Sequence, residues 1–328
     1  NDISKRSHPF LLECMTFRMR GHEEASGTKY VPKDLIEEWK LKDPVVNFEN
    51  FLLEEGIIKG NDVKDIRRNI NKEISYNWNL SVEEPPVTST FEIELADVYK
   101  DYQPNIIFPS ENKKEMRLVD AISNGLSISM EKHDNLIIMG QDIAEYGGVF
   151  KITDGFVNKF GKDRIRNTPI CESSILSAAL GLSINGFKSI VEMQFADFVT
   201  SGFNAIVNNL AKTHYRWGEN VDVVVRMPTG AGVAAGPFHS QSNEAWFTHT
   251  PGLKIVYPSF PEDAKGLLIA SINDPNPVMF FEHKALYRSY SEPVSVDYFN
   301  LEIGKGRLVR EGSDVTIISY GLAVHWAL

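Results

Sequence analysis

Three polar residues stand where an extended segment gives way to a loop or helix, and each carries chemistry that such a place can use. Glu172 closes the run Thr168-Pro169-Ile170-Cys171-Glu172 and opens onto the small residues Ser177-Ala178-Ala179-Leu180-Gly181, which read as helix. A carboxylate there can hold a ligand nitrogen, or it can simply complement the positive end of the helix. His239 lies in Gly236-Pro237-Phe238-His239-Ser240-Gln241-Ser242, a Gly-rich loop following the β-branched stretch 221–226. That places it at a strand's carboxyl end, where an imidazole can shuttle a proton or serve as a structural hydrogen-bonder. His22 ends Thr16-Phe17-Arg18-Met19-Arg20-Gly21-His22. With Arg18 and Arg20 it could face a phosphate or carboxylate, or form a basic surface loop.

Other chemistries find little support. The sequence has no Cys/His cluster with zinc spacing, no P-loop, no G-x-G-x-x-G and no G-x-S-x-G, which argues against a metal hydrolase, an NTPase, a dinucleotide enzyme or a serine hydrolase of the elbow type. With 34 basic against 44 acidic residues the net charge is −10, and phosphate backbones demand the opposite balance. The cluster Lys64, Arg67 and Arg68 is interleaved with Asp62, Asp65 and Glu73 and reads as a solvated helix face. Neither nucleic acid nor a membrane is expected as a partner: the longest uncharged stretches are broken by polar residues or rich in Gly. Two cysteines and no apolar leader point to a reducing, cytoplasmic setting. Without an initiator Met, and ending within an apolar pattern, the 328 residues are expected to be a piece of a longer chain.

These residues need elements to position them. Residues 9–15 read as a buried strand, and 34–39, 48–55 and 63–74 as helices of mixed charge. Between 79 and 115 periodicity fails among Pro85, Pro86, Pro104 and Pro109, which reads as a linker arm. Helix and strand then alternate: helices over 117–132, 150–160, 173–184, 198–216 and 261–272, with strands over 136–139, 189–195, 221–226, 254–257 and 278–281. Short, continuously apolar strands separated by helices predict an α/β fold with a parallel sheet covered on both faces, and ligands beyond the strands' carboxyl ends. Strand-like stretches at 303–309 and 314–320 suggest the start of another domain.

The wording of these loops is also distinctive. The runs Met139-Gly140-Gln141-Asp142, Tyr146-Gly147-Gly148-Val149-Phe150-Lys151, Thr168-Pro169-Ile170-Cys171-Glu172 and Glu192-Met193-Gln194-Phe195-Ala196-Asp197-Phe198 occur in order. They continue with His239-Ser240-Gln241-Ser242, His249-Thr250-Pro251-Gly252-Leu253-Lys254, Asp263-Ala264-Lys265-Gly266-Leu267-Leu268 and Leu286-Tyr287-Arg288. As an ordered set over some 150 residues, they closely resemble the β subunit of the thiamine-diphosphate-dependent 2-oxo acid dehydrogenases. Residues 9–75 are similar to the end of the α subunit, with Phe17-Arg18 and Gly21-His22 on its Tyr-Arg-x-x-Gly-His segment. The resemblance therefore implies a fused arrangement: 1–78 the end of an α-like, diphosphate-binding region, 79–115 the arm, 116–296 a transketolase-like pyrimidine-binding domain, and 297–328 the start of a carboxyl-terminal domain.

Carried over by position, the resemblance implies that Glu172 bonds the aminopyrimidine of thiamine diphosphate and promotes the tautomer that activates the cofactor. Phe198 packs on the pyrimidine, with Gln194 and Ile170 beside it. His239 serves in proton transfer during acyl transfer to the lipoyl group, and His22 lies in the loop reaching the diphosphate. Ser271, Asp274 and Asn276 match a potassium-holding stretch. The magnesium motif Gly-Asp-Gly…Asn belongs upstream and is absent here. Glu23 stands where mammalian-type α subunits carry a regulatory Ser, so kinase control there is not expected.

The implied partners are a 2-oxo acid, a dihydrolipoyl acyltransferase core and a second copy of the full-length chain. The wording is closer to branched-chain than to pyruvate enzymes, although a methylene in an apolar pocket is worth only about 1–3 kcal/mol. Transketolase and the deoxyxylulose-phosphate synthase type share the architecture, but Ala196-Asp197-Phe198 and His239-Ser240-Gln241-Ser242 count against them. Intact Glu172, His239 and His22 count against a non-catalytic scaffold.

Overall fold

The chain separates into two units, residues 1–88 and 89–328, and the computed structural model describes residues 11–328. The first unit holds the helices α1 (Lys33–Lys40), α2 (Pro44–Glu54) and α3 (Gly60–Glu83), of which α1 and α3 are polar and α2 is mostly apolar. Asp43 starts α2 by accepting from the Val45 and Val46 amides at 2.8 and 3.2 Å, with Pro44 preset for the first turn. Arg67 of α3 pairs with Glu49 of α2 at 2.6 Å. The expected strand at 9–15 does not form over its described part: 11–15 are irregular and Leu11 is 100% exposed. An apolar run becomes a strand only where a neighbour satisfies its backbone groups, and none runs beside it among the described residues. Residues 9 and 10 lie outside the described residues.

The second unit begins with α4 (Phe91–Val98), capped by Thr90 Oγ1 on the Ile93 amide, so the expected arm contains a helix. Residues 99–112 are extended, and two asparagines clamp them in place of a strand. Asn276 accepts from the Lys100 amide at 2.7 Å and donates to the Lys100 carbonyl at 3.0 Å. Asn300 accepts from the Ile107 amide at 2.7 Å and donates to the Asn105 carbonyl at 3.0 Å.

The order then runs β1 (Lys113–Arg117), α5 (Leu118–Lys132), β2 (Leu136–Gly140), α6 (Phe156–Phe160), β3 (Ile165–Asn167), α7 (Glu172–Ile184) and β4 (Lys188–Glu192). It continues with α8 (Ala211–Trp217), β5 (Val223–Thr229), α9 (Ala245–Thr248), β6 (Lys254–Val256), α10 (Pro261–Asn273), β7 (Val278–His283), α11 (Leu286–Ser289), β8 (Ser291–Ser295) and α12 (Leu322–Ala327). Six strands form a parallel sheet in the order β3-β2-β4-β5-β7-β6, while β1 and β8 pair antiparallel and join the two ends of the domain.

Alternation along each strand feeds two cores. Ile138, Ile190, Val224, Val278 and Phe280 face Leu118, Ile122 and Leu126 of α5 and Leu268 and Ile272 of α10. Ile137, Met139, Val191, Val225, Met279 and Phe281 face Ile175 and Leu176 of α7. Burial of each such side chain contributes about 1.5–3 kcal/mol, and the all-apolar strands follow from being covered on both sides.

Several expected elements differ. The helix over 150–160 is only α6, because Gly155 at φ 77° stands before it. The helix over 198–216 breaks into a 3₁₀ turn (Ala196–Gly202), a π turn (Ala205–Leu210) and α8. The stretches 303–309 and 314–320 form no strands, and Ile318 is 93% exposed: no edge pairs with them among the described residues. Among those residues no helix is long and apolar enough to cross a membrane.

Candidate active site

All six parallel strands point their carboxyl ends the same way, so the loops after β2, β3, β4, β5 and β7 converge on one edge of the sheet. Glu172 is the first residue of α7, which the 168–171 segment reaches directly from β3. Its side chain is buried, and Oε1 accepts from Gln141 Nε2 at 3.0 Å, just past β2. Oε2 takes no hydrogen bond from a described residue. A buried carboxylate held by one oxygen, with the other available, suits a nitrogen donor on a planar ring.

Aromatic rings gather beyond β4 and β5. Phe195 meets Phe198 edge to face at 5.7 Å, and His239 meets Phe195 at 4.8 Å and Phe198 at 5.4 Å. Edge-to-face packing of this kind fixes ring planes as well as positions. Phe150 continues the stack toward Tyr287, at 5.8 Å from Phe195 and 4.8 Å from Tyr287. His239 Nδ1 is buried without a partner among the described residues, which leaves Nε2 as the nitrogen able to exchange a proton outward.

The remaining expected residues fall out unevenly. Gln194 is half-buried and donates to Asp142 Oδ2 at 3.3 Å. Ile170 is 84% exposed on the approach to Glu172. His22 is exposed and belongs to the first unit. Ser271, Asp274 and Asn276 have other duties. Asp274 Oδ1 accepts both Asn276 N–H groups at 2.9 Å, its Oδ2 accepts Lys254 Nζ at 2.6 Å, and Ser271 Oγ donates to the Leu267 carbonyl. The Asn276 side-chain oxygen Oδ1 accepts from the Lys100 amide at 2.7 Å, so these side chains are already bonded within the protein. Among the described residues no three His, Cys, Asp or Glu side chains converge as a metal site requires.

Beneath the aromatic stack lies a network absent from the sequence reading. Arg226 of β5 forks onto Glu282 of β7 with two 2.7 Å bonds and reaches Glu192 of β4 with a third. Tyr287 donates to Glu282 Oε2 at 2.6 Å. Burial lowers the proton affinity of Arg226, but Glu282 and Glu192 more than offset it and push it up. Burial raises Glu192 despite Arg226. Lys284, one residue past β7, is 4% exposed with Nζ 5.3 Å from the Phe195 ring, and burial pulls it down to about 8 against the upward pull of Asp197. Burial and then Lys284 lower His283. A charged Arg inside an otherwise apolar strand, and a His-Lys pair where another ends, were the sequence signals for this layer.

Comparison with known proteins matches this architecture. Residues 114–289 match the family described as transketolase, pyrimidine binding domain, and residues 3–89 match that described as dehydrogenase E1 component. The chain is similar to the 2-oxoisovalerate dehydrogenase subunit beta, mitochondrial, of Dictyostelium discoideum, 46% identical over 64% of this chain and 57% of the relative. The corresponding subunit of Bacillus subtilis is also 46% identical, over 65% and 66%. The pyruvate dehydrogenase E1 component subunit beta of Staphylococcus epidermidis is 40% identical over 65% and 66%. The chain thus spans less than two thirds of the length of these relatives. A solved structure titled split gene transketolase, inactive beta4 tetramer, superposes with a TM-score of 0.52 at 21% identity, covering 65% of each chain, a likeness of fold alone.

Proposed function

The chain belongs to the transketolase pyrimidine-binding family, among the thiamine-diphosphate-dependent 2-oxo acid dehydrogenases, and on that premise we propose that it decarboxylates a 2-oxo acid and passes the acyl group to the lipoyl group of a dihydrolipoyl acyltransferase. The observation that carries this reading is Glu172: a buried carboxyl at a helix start, held on one oxygen by Gln141, on the sheet edge that also carries the Phe195, Phe198 and His239 rings.

Thiamine diphosphate, when bound, supplies the carbanion chemistry that lets a 2-oxo acid lose carbon dioxide. The chain's own residues do the rest. Glu172 holds and orients the aminopyrimidine through its carboxyl oxygens. Phe198 gives that ring an apolar face, with Ile170 and Gln194 at its margin. His239, its plane fixed by two phenyl rings, takes or gives a proton at Nε2 during acyl transfer. His22 belongs to the same proposal as a diphosphate-side residue. So do magnesium, whose motif the resemblance places ahead of this chain, the division into α-like, arm, pyrimidine-binding and carboxyl-terminal parts, a homo-oligomer of the whole protein and a cytoplasmic setting.

The branched-chain preference is supported by the 46% identity to two 2-oxoisovalerate dehydrogenase subunits against 40% to a pyruvate dehydrogenase subunit. Decarboxylation of 3-methyl-2-oxobutanoate and of pyruvate by the full-length protein, with thiamine diphosphate and magnesium, tests both layers. Glu172→Gln is expected to lower activity by about 10²-fold or more, the scale of a lost acid–base contribution. A preference for pyruvate would overturn the substrate class. Undiminished activity in the variant would overturn the role of Glu172, and an inactive wild type would leave a scaffold.

A further inference from the structure

Among the described residues ten buried side-chain polar atoms lack a hydrogen-bond partner, and five of them sit on the His239 loop or against it: Asp197 Oδ2, His239 Nδ1, Asn243 Oδ1, Glu244 Oε2 and Lys284 Nζ. Two are opposite charges. Asp197 is 6% exposed and Lys284 4%; Lys284 Nζ stands 5.3 Å from the Phe195 ring, which packs on His239, and Asp197 is two residues along the chain from Phe195.

The hydrogen bonds around them form a circuit that is open at one place. The Lys284 amide donates to the Thr229 carbonyl at 3.0 Å. Thr229 Oγ1 and the Gly230 amide donate to the Gln241 carbonyl at 3.0 and 2.9 Å. On the other side of the same residue, the Gln241 amide donates to Asp197 Oδ1 at 3.1 Å. The circuit lacks only a link from Asp197 Oδ2 back to Lys284 Nζ. Buried polar groups without a protein partner are ordinarily joined by internal water.

We propose that Asp197 and Lys284 are positioning residues for His239: a buried, water-bridged charge pair behind Phe195 that clamps the His239 loop against the 3₁₀ turn after β4. Gln241 is gripped at both its N–H and its carbonyl, two residues from the imidazole, so holding Asp197 in place holds the ring. The role assigned to His239 rests on the function proposed above; the clamp itself does not. The charged groups on the elements packed against this loop are Asp197 on the 3₁₀ turn, His283 and Lys284 at the end of β7, and Glu244 on the loop's own continuation, whose Oε1 accepts from Tyr320. His283, lowered by burial and by Lys284, is neutral above pH 7, so Lys284 at about 8 is the group whose charge changes between pH 7 and 9.

Hydrogen exchange of the 237–243 segment in the intact protein, without added cofactor, tests the clamp. After correction for intrinsic rates, wild-type exchange is expected to rise about tenfold between pH 7 and 9, as local opening becomes easier. Lys284→Arg, which stays charged, is expected to remain flat. Lys284→Met and Asp197→Asn are expected to exchange fast at both pH values, because each removes one member of the buried pair. Wild-type protection in Lys284→Met, or a pH rise in Lys284→Arg matching wild type, would overturn the clamp, and the Arg arm stands even where Lys284→Met fails to fold. In active enzyme, Lys284→Met should slow lipoyl reductive acylation about tenfold while decarboxylation with an artificial electron acceptor persists. An inactive wild type with the exchange pattern intact would sink the functional reading and leave the clamp.

Discussion

Gln141, one residue beyond β2, donates a 3.0 Å hydrogen bond to Glu172, the first residue of α7, and both side chains are buried. The bond ties together two strand ends of the parallel sheet and orients the carboxyl group on which the proposed chemistry turns. Gln141→Leu removes the donor at similar volume and leaves Oε1 buried and unpaired. The expected cost is about 1.5–3 kcal/mol, the range for a hydrogen bond to a charged group. Urea unfolding should show a lower midpoint with an unchanged slope; a midpoint equal to wild type would mean the bond does not hold the carboxyl.

The network under the ring stack makes a graded prediction. Tyr287→Phe deletes one bond to Glu282 and should cost about 1.5–3 kcal/mol. Arg226→Met leaves Glu192 and Glu282 buried without their cation and should cost about 3–5 kcal/mol. Equal losses in the two variants, measured by denaturant unfolding, would contradict the dominant place given to Arg226.

The clamps on the 99–112 segment are open to proteolysis. Asn276→Ala removes both bonds to Lys100 and the side-chain donor on Asp274 Oδ1, whereas Asn300→Ala removes only the bonds to Asn105 and Ile107. The Asp274–Asn276 backbone bond survives the substitution, so the side-chain loss is the larger part. Each variant should be cut faster within 99–108, Asn276→Ala the more so, at about 1–3 kcal/mol per lost anchor. Cleavage confined to other segments would show that these amides do not secure the arm.

Lys265 supplies a pH dependence with a definite sign. It lies wholly buried in α10, donating to the Ser295 and Asp297 carbonyls at 2.5 and 2.7 Å. Burial pulls its ammonium down to about 8, against the upward pull of Asp297. An unfolded lysine titrates at about 10.4, so between about 8 and 10.4 the unfolded chain binds more protons than the folded one. Stability therefore gains from this residue as pH rises through that window, and the charge's cost is complete below it. Comparing unfolding midpoints at pH 7 and 10, wild type should gain relative to Lys265→Met; parallel slopes would show that Lys265 does not titrate there.

How much of this was legible beforehand depends on whether a feature is local. The apolar strands 136–139 and 278–281 and the helix at 261–272 announced themselves within a few residues of β2, β7 and α10, because a doubly covered strand needs apolar residues at every position. The placement of Glu172 was also readable, since it opens α7, and that of His239 on the loop that follows β5. Apolarity misled where it lacked a neighbour: residues 11–15, 303–309 and 314–320 have strand composition and no strand beside them among the described residues. Ser271, Asp274 and Asn276 lie within six residues in sequence, yet Lys254 and Lys100 reach Asp274 and Asn276 from far away and bond to their side-chain oxygens.

The sequence by itself determined the alternating α/β order, the two-sided burial of the sheet, the helix start at Glu172 and the loop that carries His239, because each depends on residue type over one or two turns of chain. Tertiary structure alone decided which side chains meet. Gln141 joins Glu172 across 31 residues, Arg226 joins Glu282 across 56, and Lys284 comes under Phe195 from a strand two places away in the sheet. Parallel pairing brings together strand ends that are distant in the chain, and composition carries no record of which ends will be neighbours.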